Sequence, residues 1–121
     1  MRILVVDDDE TLGETMREIL SFQNLDVDWA VSAPDGLAKI NVEHYDVVLV
    51  DYVMPDHDGL WFMSNAKLPR STKALLMTGH LDRKVINEMF NLGACGYIIK
   101  PFDEEELLHN LNYFLPGKIS A

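Results

Sequence analysis

The chain is poor in several features that would mark particular classes of protein. Its 121 residues include one cysteine, Cys95, so we expect neither a disulfide framework nor a thiolate metal cluster. No apolar run approaches the roughly 18 residues that span a bilayer, and the apolar run after Arg2 is too short for a secretory signal. Basic residues number 10 against 20 acidic ones, and the net charge of −10 disfavours direct nucleic-acid binding. We therefore expect a cytoplasmic protein, without a membrane contact, that suits a divalent cation or a basic protein partner.

The rest of the composition is typical of a globular domain. Hydrophobic residues make up 48% of the chain and charged residues 25%, which is ordinary usage for a protein with one core. The sequence contains no internal repeat, low-complexity tract or linker-like stretch between two halves. We predict one domain over residues 1–121, with residues 116–121 (PGKISA) either a simple end or the start of a linker.

Five short apolar runs recur, each followed by polar residues and then by a segment with helical spacing. They are residues 3–6, 27–29, 47–50, 74–77 and 97–99. Four runs are nearly continuous, which is typical of strands buried on both faces of a parallel sheet. The second, DVDWA, alternates and predicts a half-exposed edge strand. The pattern therefore predicts an α/β fold, (βα)₅, with an open parallel sheet and helices on both faces.

Several helix boundaries follow from capping residues and helix breakers. The second helix is set off by Pro34 and is expected to end near Ile40. The third is expected to open at Gly59 and to be closed by Pro69. Asp103, before EEELL, is a suitable N-cap for the last helix.

The residues that follow the predicted strands form a charged set. In an open parallel sheet, ligands bind beyond the carboxyl ends of the strands. The first, third, fourth and fifth strands are followed there by Asp7 and Asp8, Asp51, Thr78 and Lys100. Two carboxylates about 4 Å apart repel by about 4 kcal/mol at an effective dielectric of 20, so this set requires a cation or raised pKa values. Mg²⁺ suits such oxygen ligands, and a carboxylate can also accept a phosphoryl group.

Four segments resemble one known family. ILVVDDD, VVLVDYVMPDHDG, LLMTG and YIIKPF are similar, in order and spacing, to the signature segments of the response-regulator receiver domain of two-component signalling systems. The resemblance covers essentially the whole chain and implies a flavodoxin-like strand order, 2-1-3-4-5. It also implies a phosphorelay switch that takes a phosphoryl group from a sensor histidine kinase or a phosphotransfer protein. Such a domain is not a turnover enzyme, although it catalyses its own phosphorylation and dephosphorylation. Its distal face, formed by helix 4, strand 5 and helix 5, would serve a homodimer or an output domain.

The resemblance also implies which residues form the acceptor site. Asp51 would be the phosphoacceptor. Asp8 and Asp51 would bind Mg²⁺ directly together with the backbone carbonyl of Val53, while Asp7 would act mainly through water.

Further roles carried by the resemblance concern the phosphoryl group and the switch. Thr78 and Lys100 would contact the phosphoryl group, and Thr78 and Tyr97 would form the switch. The peptide bond between Lys100 and Pro101 would be cis. Two positions near the path of the hydrolytic water, Val53 and His80, would tune the lifetime of the phosphorylated state. Because valine cannot orient a water molecule, we expect this lifetime to depend on His80.

Two other interpretations remain open. DDDET also fits Asp-x-Asp-x-Thr of the haloacid-dehalogenase-like phosphotransferases, which would make Asp7 the nucleophile and Asp9 the acid/base of a hydrolase. That family leaves Asp51 and MPDHDG unexplained, and the chain is short for it, so the receiver is favoured and Asp9 is expected to cap the first helix. The third interpretation, a degenerate interaction domain that is not phosphorylated, conflicts with the presence of every acceptor-site residue. The sequence gives no role to Trp29 or Trp61.

Overall fold

The computed structural model describes residues 1–115, so the predicted linker start at residues 116–121 lies outside the described residues. Strands and helices alternate through this part of the chain. The strands are β1 (Arg2–Val6), β2 (Asp26–Ala30), β3 (Val47–Asp51), β4 (Lys73–Thr78) and β5 (Gly96–Ile99). The helices are α1 (Glu10–Ser21), α2 (Ala33–Ile40), α3 (Gly59–Asn65), α4 (Arg83–Asn91) and α5 (Glu104–Phe114). Among the described residues, no helix combines the length and the apolar character needed to cross a bilayer.

The five strands form one parallel sheet in the order β2-β1-β3-β4-β5. This confirms the predicted α/β class and strand order. The alternating segment DVDWA is β2, at one edge of the sheet and only partly buried. Its assignment as an edge strand is therefore also confirmed.

Two details of the prediction were wrong. The run at 97–99 was expected to be covered on both faces, but β5 is the other edge of the sheet and alternates, leaving Tyr97 and Ile99 exposed. Three apolar residues are too few to reveal a period of two. Helix α3 ends at Asn65, before Pro69, because Ala66 already has an extended backbone and its side chain is buried in the core.

The core lies on both faces of the sheet. In β1, Leu4 and Val6 belong to one cluster of buried side chains, and Ile3 and Val5 belong to the other. This alternation follows from the pleat, which points successive side chains to opposite faces. Strands β1 and β3 lie inside the sheet and are buried apart from Arg2, so they position the residues at their carboxyl ends.

Every helix begins with a side chain that accepts a hydrogen bond from a backbone N–H of its first turn. The caps are Asp9, Ser32, Asp58, Asp82 and Asp103. The predictions for Asp9 and Asp103 are thus confirmed. Each cap stabilises its helix by about 1 kcal/mol. Because each helix follows the carboxyl end of a strand, all five caps lie toward the same edge of the sheet.

Candidate functional site

Three carboxylates meet beyond the carboxyl ends of the two central strands. Asp7 directly follows β1, Asp8 comes next, and Asp51 is the last residue of the neighbouring strand β3. One oxygen of each carboxylate lies within 4.8 Å of the others. Asp7 is fully buried and Asp51 is 7% exposed, whereas Asp8 faces solvent. The set thus combines two carboxylates shielded from water with one that remains accessible.

Lys100 brings the only ammonium into contact with these acids in the part of the chain that the structure describes. Its Nζ lies 2.7 Å from Asp7 Oδ2 and 3.3 Å from Asp51 Oδ1. Lys100 follows the edge strand β5, and its peptide bond to Pro101 is cis. One lysine therefore links the ends of three strands but balances only one of three negative charges.

The electrostatics of the site show that its negative charge is not fully compensated. Burial, and then the nearby Asp7 carboxylate, raise the pKa of Asp51 from 3.8 to about 6, although Lys100 acts in the opposite direction. Burial lowers the pKa of Lys100, but its bonds to Asp7 and Asp51 outweigh that effect and leave the pKa raised. Three hard oxygen donors with excess negative charge and access to solvent through Asp8 fit a divalent cation such as Mg²⁺.

The backbone around Asp8 is held by two hydrogen bonds. The Asp9 N–H donates to Asp7 Oδ1 at 2.9 Å, and the Trp29 indole Nε1–H donates to the Asp7 carbonyl oxygen at 2.7 Å. Trp29 was missed from the sequence, where it appears only as a large residue on an edge strand. Nothing in the residue pattern shows that its indole reaches past its own strand pair to the acidic segment.

Thr78, at the end of β4, is buried, but its hydroxyl is engaged by its own loop. Its Oγ1 donates to the His80 carbonyl oxygen at 2.9 Å and lies 3.2 Å from the His80 N–H, from which it accepts. The Tyr97 side chain is partly exposed, with its ring centroid 6.5 Å from that of Phe90. The two residues expected to form the switch thus point toward the loop and toward the surface, respectively, in this arrangement.

The loop from Asp51 to Gly59 folds tightly over the end of β3. A Cβ at Gly59 would lie 2.7 Å from the Asp51 carbonyl oxygen, so only glycine fits this close approach. Asp56 has a positive φ of 68°, and Asp58 serves as the α3 cap rather than as a ligand. The Val53 side chain is 70% exposed.

Comparisons with known proteins agree on one family. The model of the response regulator receiver domain matches residues 3–112. The transcriptional activator protein IrlR of Burkholderia pseudomallei is 32% identical over 115 residues, which are 95% of this chain and 50% of that protein. The response regulator ArlR of Staphylococcus aureus is 32% identical over 114 residues, or 94% of this chain and 52% of that protein. The chain thus spans about half the length of these curated relatives.

A solved structure provides the same comparison at the level of the fold. The CheY-like response regulator receiver domain protein from Methanospirillum hungatei superposes with a TM-score of 0.90 at 34% sequence identity. The match covers 97% of this chain and 94% of that one. The haloacid-dehalogenase-like alternative has no support from these comparisons.

Proposed function

The chain belongs to the response regulator receiver domain family of two-component systems, and on this premise we propose that Asp51 is its phosphoacceptor. The observation that supports this assignment best is the contrast between Asp51 and Asp7. Both oxygens of the fully buried Asp7 are engaged, one by Lys100 and one by the Asp9 N–H. Asp51 keeps some exposure and, within residues 1–115, its carboxylate is held only at Oδ1, by Lys100, so it is the better placed to attack a phosphorus atom.

The proposed reaction is an in-line transfer from a phosphohistidine or from a small phosphodonor. An Asp51 oxygen forms the new bond to phosphorus as the bond to the donor nitrogen or oxygen breaks. With a pKa of about 6, Asp51 is mostly ionised near neutral pH and can act as the nucleophile. Lys100, already 3.3 Å from Asp51, would stay beside the transferred group and offset its charge.

We propose that Asp7, Asp8 and Asp51, with the Val53 backbone carbonyl, hold Mg²⁺. When bound, Mg²⁺ would neutralise the carboxylates and the charge on the transferring phosphoryl group. Asp8 is the accessible member of the set, so it suits direct ligation. The engaged oxygens of Asp7 suit a contact through water. Phosphorylation and later hydrolysis would then be catalysed by the domain itself.

The switch would follow from the charge added at Asp51. To donate to the phosphoryl group, the Thr78 hydroxyl must leave the His80 carbonyl oxygen, and this would move the loop before α4. Tyr97 would then turn inward, away from Phe90. The α4-β5-α5 face would be reshaped for a second copy or for an output domain, and a sensor histidine kinase or phosphotransfer protein would be the phosphodonor.

Mapping the modified residue tests the assignment. The protein is incubated with acetyl phosphate and Mg²⁺, reduced with borohydride to convert an acyl phosphate to homoserine, and analysed by peptide mass spectrometry. We expect modification at Asp51, its loss in Asp51→Asn, and no loss in Asp56→Asn, which neutralises an exposed acid of the same loop. Modification at Asp7 would support the hydrolase, and no Mg²⁺-dependent modification would support a degenerate module.

The lifetime of the acyl phosphate gives a separate prediction. We expect His80→Ala to slow its decay severalfold, because His80 is the polar side chain of the pair that flanks the path of water. Val53→Asn should speed the decay, because an amide at this exposed position can orient a water molecule. The decay is measured as the release of inorganic phosphate after the donor has been removed. Unchanged rates in both variants would contradict the proposed roles of these residues.

A further inference from the structure

Trp29 connects the edge of the sheet to the acidic segment. It pairs in register with Val5, two residues before Asp7, and its indole reaches forward to the Asp7 carbonyl oxygen. The last backbone bond between these segments is the Asp7 N–H to the Ala30 carbonyl, at 3.0 Å, because β2 ends at Ala30. The indole N–H of Trp29 therefore donates to the Asp7 carbonyl oxygen beyond the end of β2, where the strand offers no further backbone donor.

The carbonyl that Trp29 binds belongs to the peptide unit between Asp7 and Asp8. The N–H of the following peptide unit, that of Asp9, is bound by the Asp7 carboxylate. Both peptide planes that flank Asp8 are thus fixed by hydrogen bonds. These two planes determine the direction of the Cα–Cβ bond of Asp8, from which its exposed carboxylate extends.

Helix α1 holds the indole in place. A Cβ at Gly13 would lie 2.7 Å from Trp29 Cδ1 and 2.8 Å from Nε1, so the ring occupies space that any larger residue would fill. Gly13 is tied to the same segment, since its N–H donates to the Asp9 carbonyl at 3.0 Å. Trp29 is therefore packed between β2 and the first turn of α1 with its N–H directed at Asp7.

We propose that Trp29 is a positioning residue of the cation site, which fixes the peptide unit between Asp7 and Asp8 and so aims the Asp8 carboxylate at the metal. This inference rests on the proposed function, since it takes Asp8 as a ligand. Groups that orient metal ligands without touching the metal commonly contribute about 10- to 100-fold to metal affinity. The effect of Trp29 would be exerted through the backbone rather than through the ligand side chain.

The test is a titration of the protein with Mg²⁺, in which the affinity is measured from the changes in backbone amide chemical shifts in NMR spectra. We expect Trp29→Phe, which keeps a ring beside Gly13 but removes the N–H donor, to weaken Mg²⁺ binding about tenfold. The matched control is Tyr45→Phe, which removes another 2.7 Å side-chain hydrogen bond, from Tyr45 Oη to Asp28 on the same strand β2. It should reduce stability without changing the affinity for Mg²⁺.

A second variant separates the hydrogen bond from packing. Benzothienylalanine at position 29 replaces only the indole N–H by sulfur, and we expect it to weaken Mg²⁺ binding as Trp29→Phe does. In the unchanged protein, the Trp29 indole Nε1–H resonance should shift on Mg²⁺ addition. Equal Mg²⁺ affinity in the unchanged protein and both variants would overturn the role of Trp29.

The reference variant Asp8→Asn distinguishes this failure from failure of the proposed function. If Mg²⁺ binds the unchanged protein and Asp8→Asn weakens the binding, the cation site stands whatever Trp29 does. If Mg²⁺ does not bind, or binds without Asp8, the cation site fails, and the role of Trp29 fails with it.

Discussion

Replacing Lys100 with methionine is expected to lower the free energy of unfolding by about 3 kcal/mol near neutral pH without divalent cations. The variant keeps a side chain of similar length but leaves the buried Asp7 carboxylate without the ammonium that lies 2.7 Å away. A buried charge that loses its partner is strongly destabilising, because neither water nor another cation replaces the lost bond. This deficit, the loss in free energy of unfolding caused by Lys100→Met, should be smaller when Mg²⁺ is added.

The pH dependence of this deficit follows from Asp51. Its pKa in the folded protein is about 6 against 3.8 for the free group, so the associated stability is present below about pH 4 and is lost as pH rises through about 6. Lys100 lowers the pKa of Asp51, and without it that pKa rises further. The Lys100→Met deficit should therefore be largest above about pH 6 and smaller at about pH 5.

Urea unfolding at several pH values measures this effect. The matched control is Lys39→Met, which breaks a 3.4 Å pair between Lys39 and Asp35 on the surface of α2. Such i,i+4 pairs contribute only about 0.3–0.5 kcal/mol, because solvent screens them. If Lys100→Met were no more destabilising than Lys39→Met, the buried ion pair would not have the importance assigned to it.

Asp51→Asn is expected to affect stability in the opposite direction from Lys100→Met. It should raise the free energy of unfolding by about 2 kcal/mol near neutral pH without divalent cations. A pKa raised from 3.8 to about 6 means that the ionised form of Asp51 is less favourable in the folded protein than in the unfolded chain. The asparagine removes this charge, and its oxygen can still accept a hydrogen bond from Lys100. On the proposed assignment, the ionised phosphoacceptor would therefore destabilise its own domain in the absence of a cation.

The gain from Asp51→Asn should appear between about pH 4 and 6, since below this range Asp51 is protonated in both folded and unfolded chains. Mg²⁺ should stabilise the unchanged protein but have little effect on the variant, so the difference in their free energies of unfolding should become smaller. Asp56→Asn is the control, because Asp56 is exposed and asparagine tolerates its positive φ of 68°. A gain that does not depend on pH would contradict the electrostatic explanation.

The convergence of the site residues was predictable because it depends on topology alone. Asp7 and Lys100 follow a strand and Asp51 ends one, and parallel strands bring their carboxyl ends to one edge of the sheet. The hydrophobic pattern was enough to identify the five strands and the edge position of β2, and the family resemblance was needed for their order. Neither depends on the direction of an individual side chain.

Features that depend on side-chain reach or on a few residues were not predictable. Lys100 Nζ lies 2.7 Å from Asp7 Oδ2 but 3.3 Å from Asp51 Oδ1, and the residue pattern does not show which carboxylate lies closer. The bond from Trp29 to Asp7 requires the absence of a side chain at Gly13, and the sequence does not show that these positions meet. The exposure of Tyr97 follows from the edge position of β5, which its short apolar run does not reveal.

The aspartate caps have a consequence for how fast different donors react. Four of the five caps in the described part of the chain are aspartates, and these four lie toward the edge of the sheet that carries Asp51, so they add negative charge on the side from which a donor would reach the proposed acceptor. Anionic metabolites such as acetyl phosphate would be repelled over about 10 Å at 0.1 M ionic strength, while a positively charged protein surface would be attracted. Added salt should therefore accelerate phosphorylation by acetyl phosphate and slow phosphorylation by a positively charged protein donor. The aspartate caps would in this way reduce the rate of phosphorylation by small anionic metabolites.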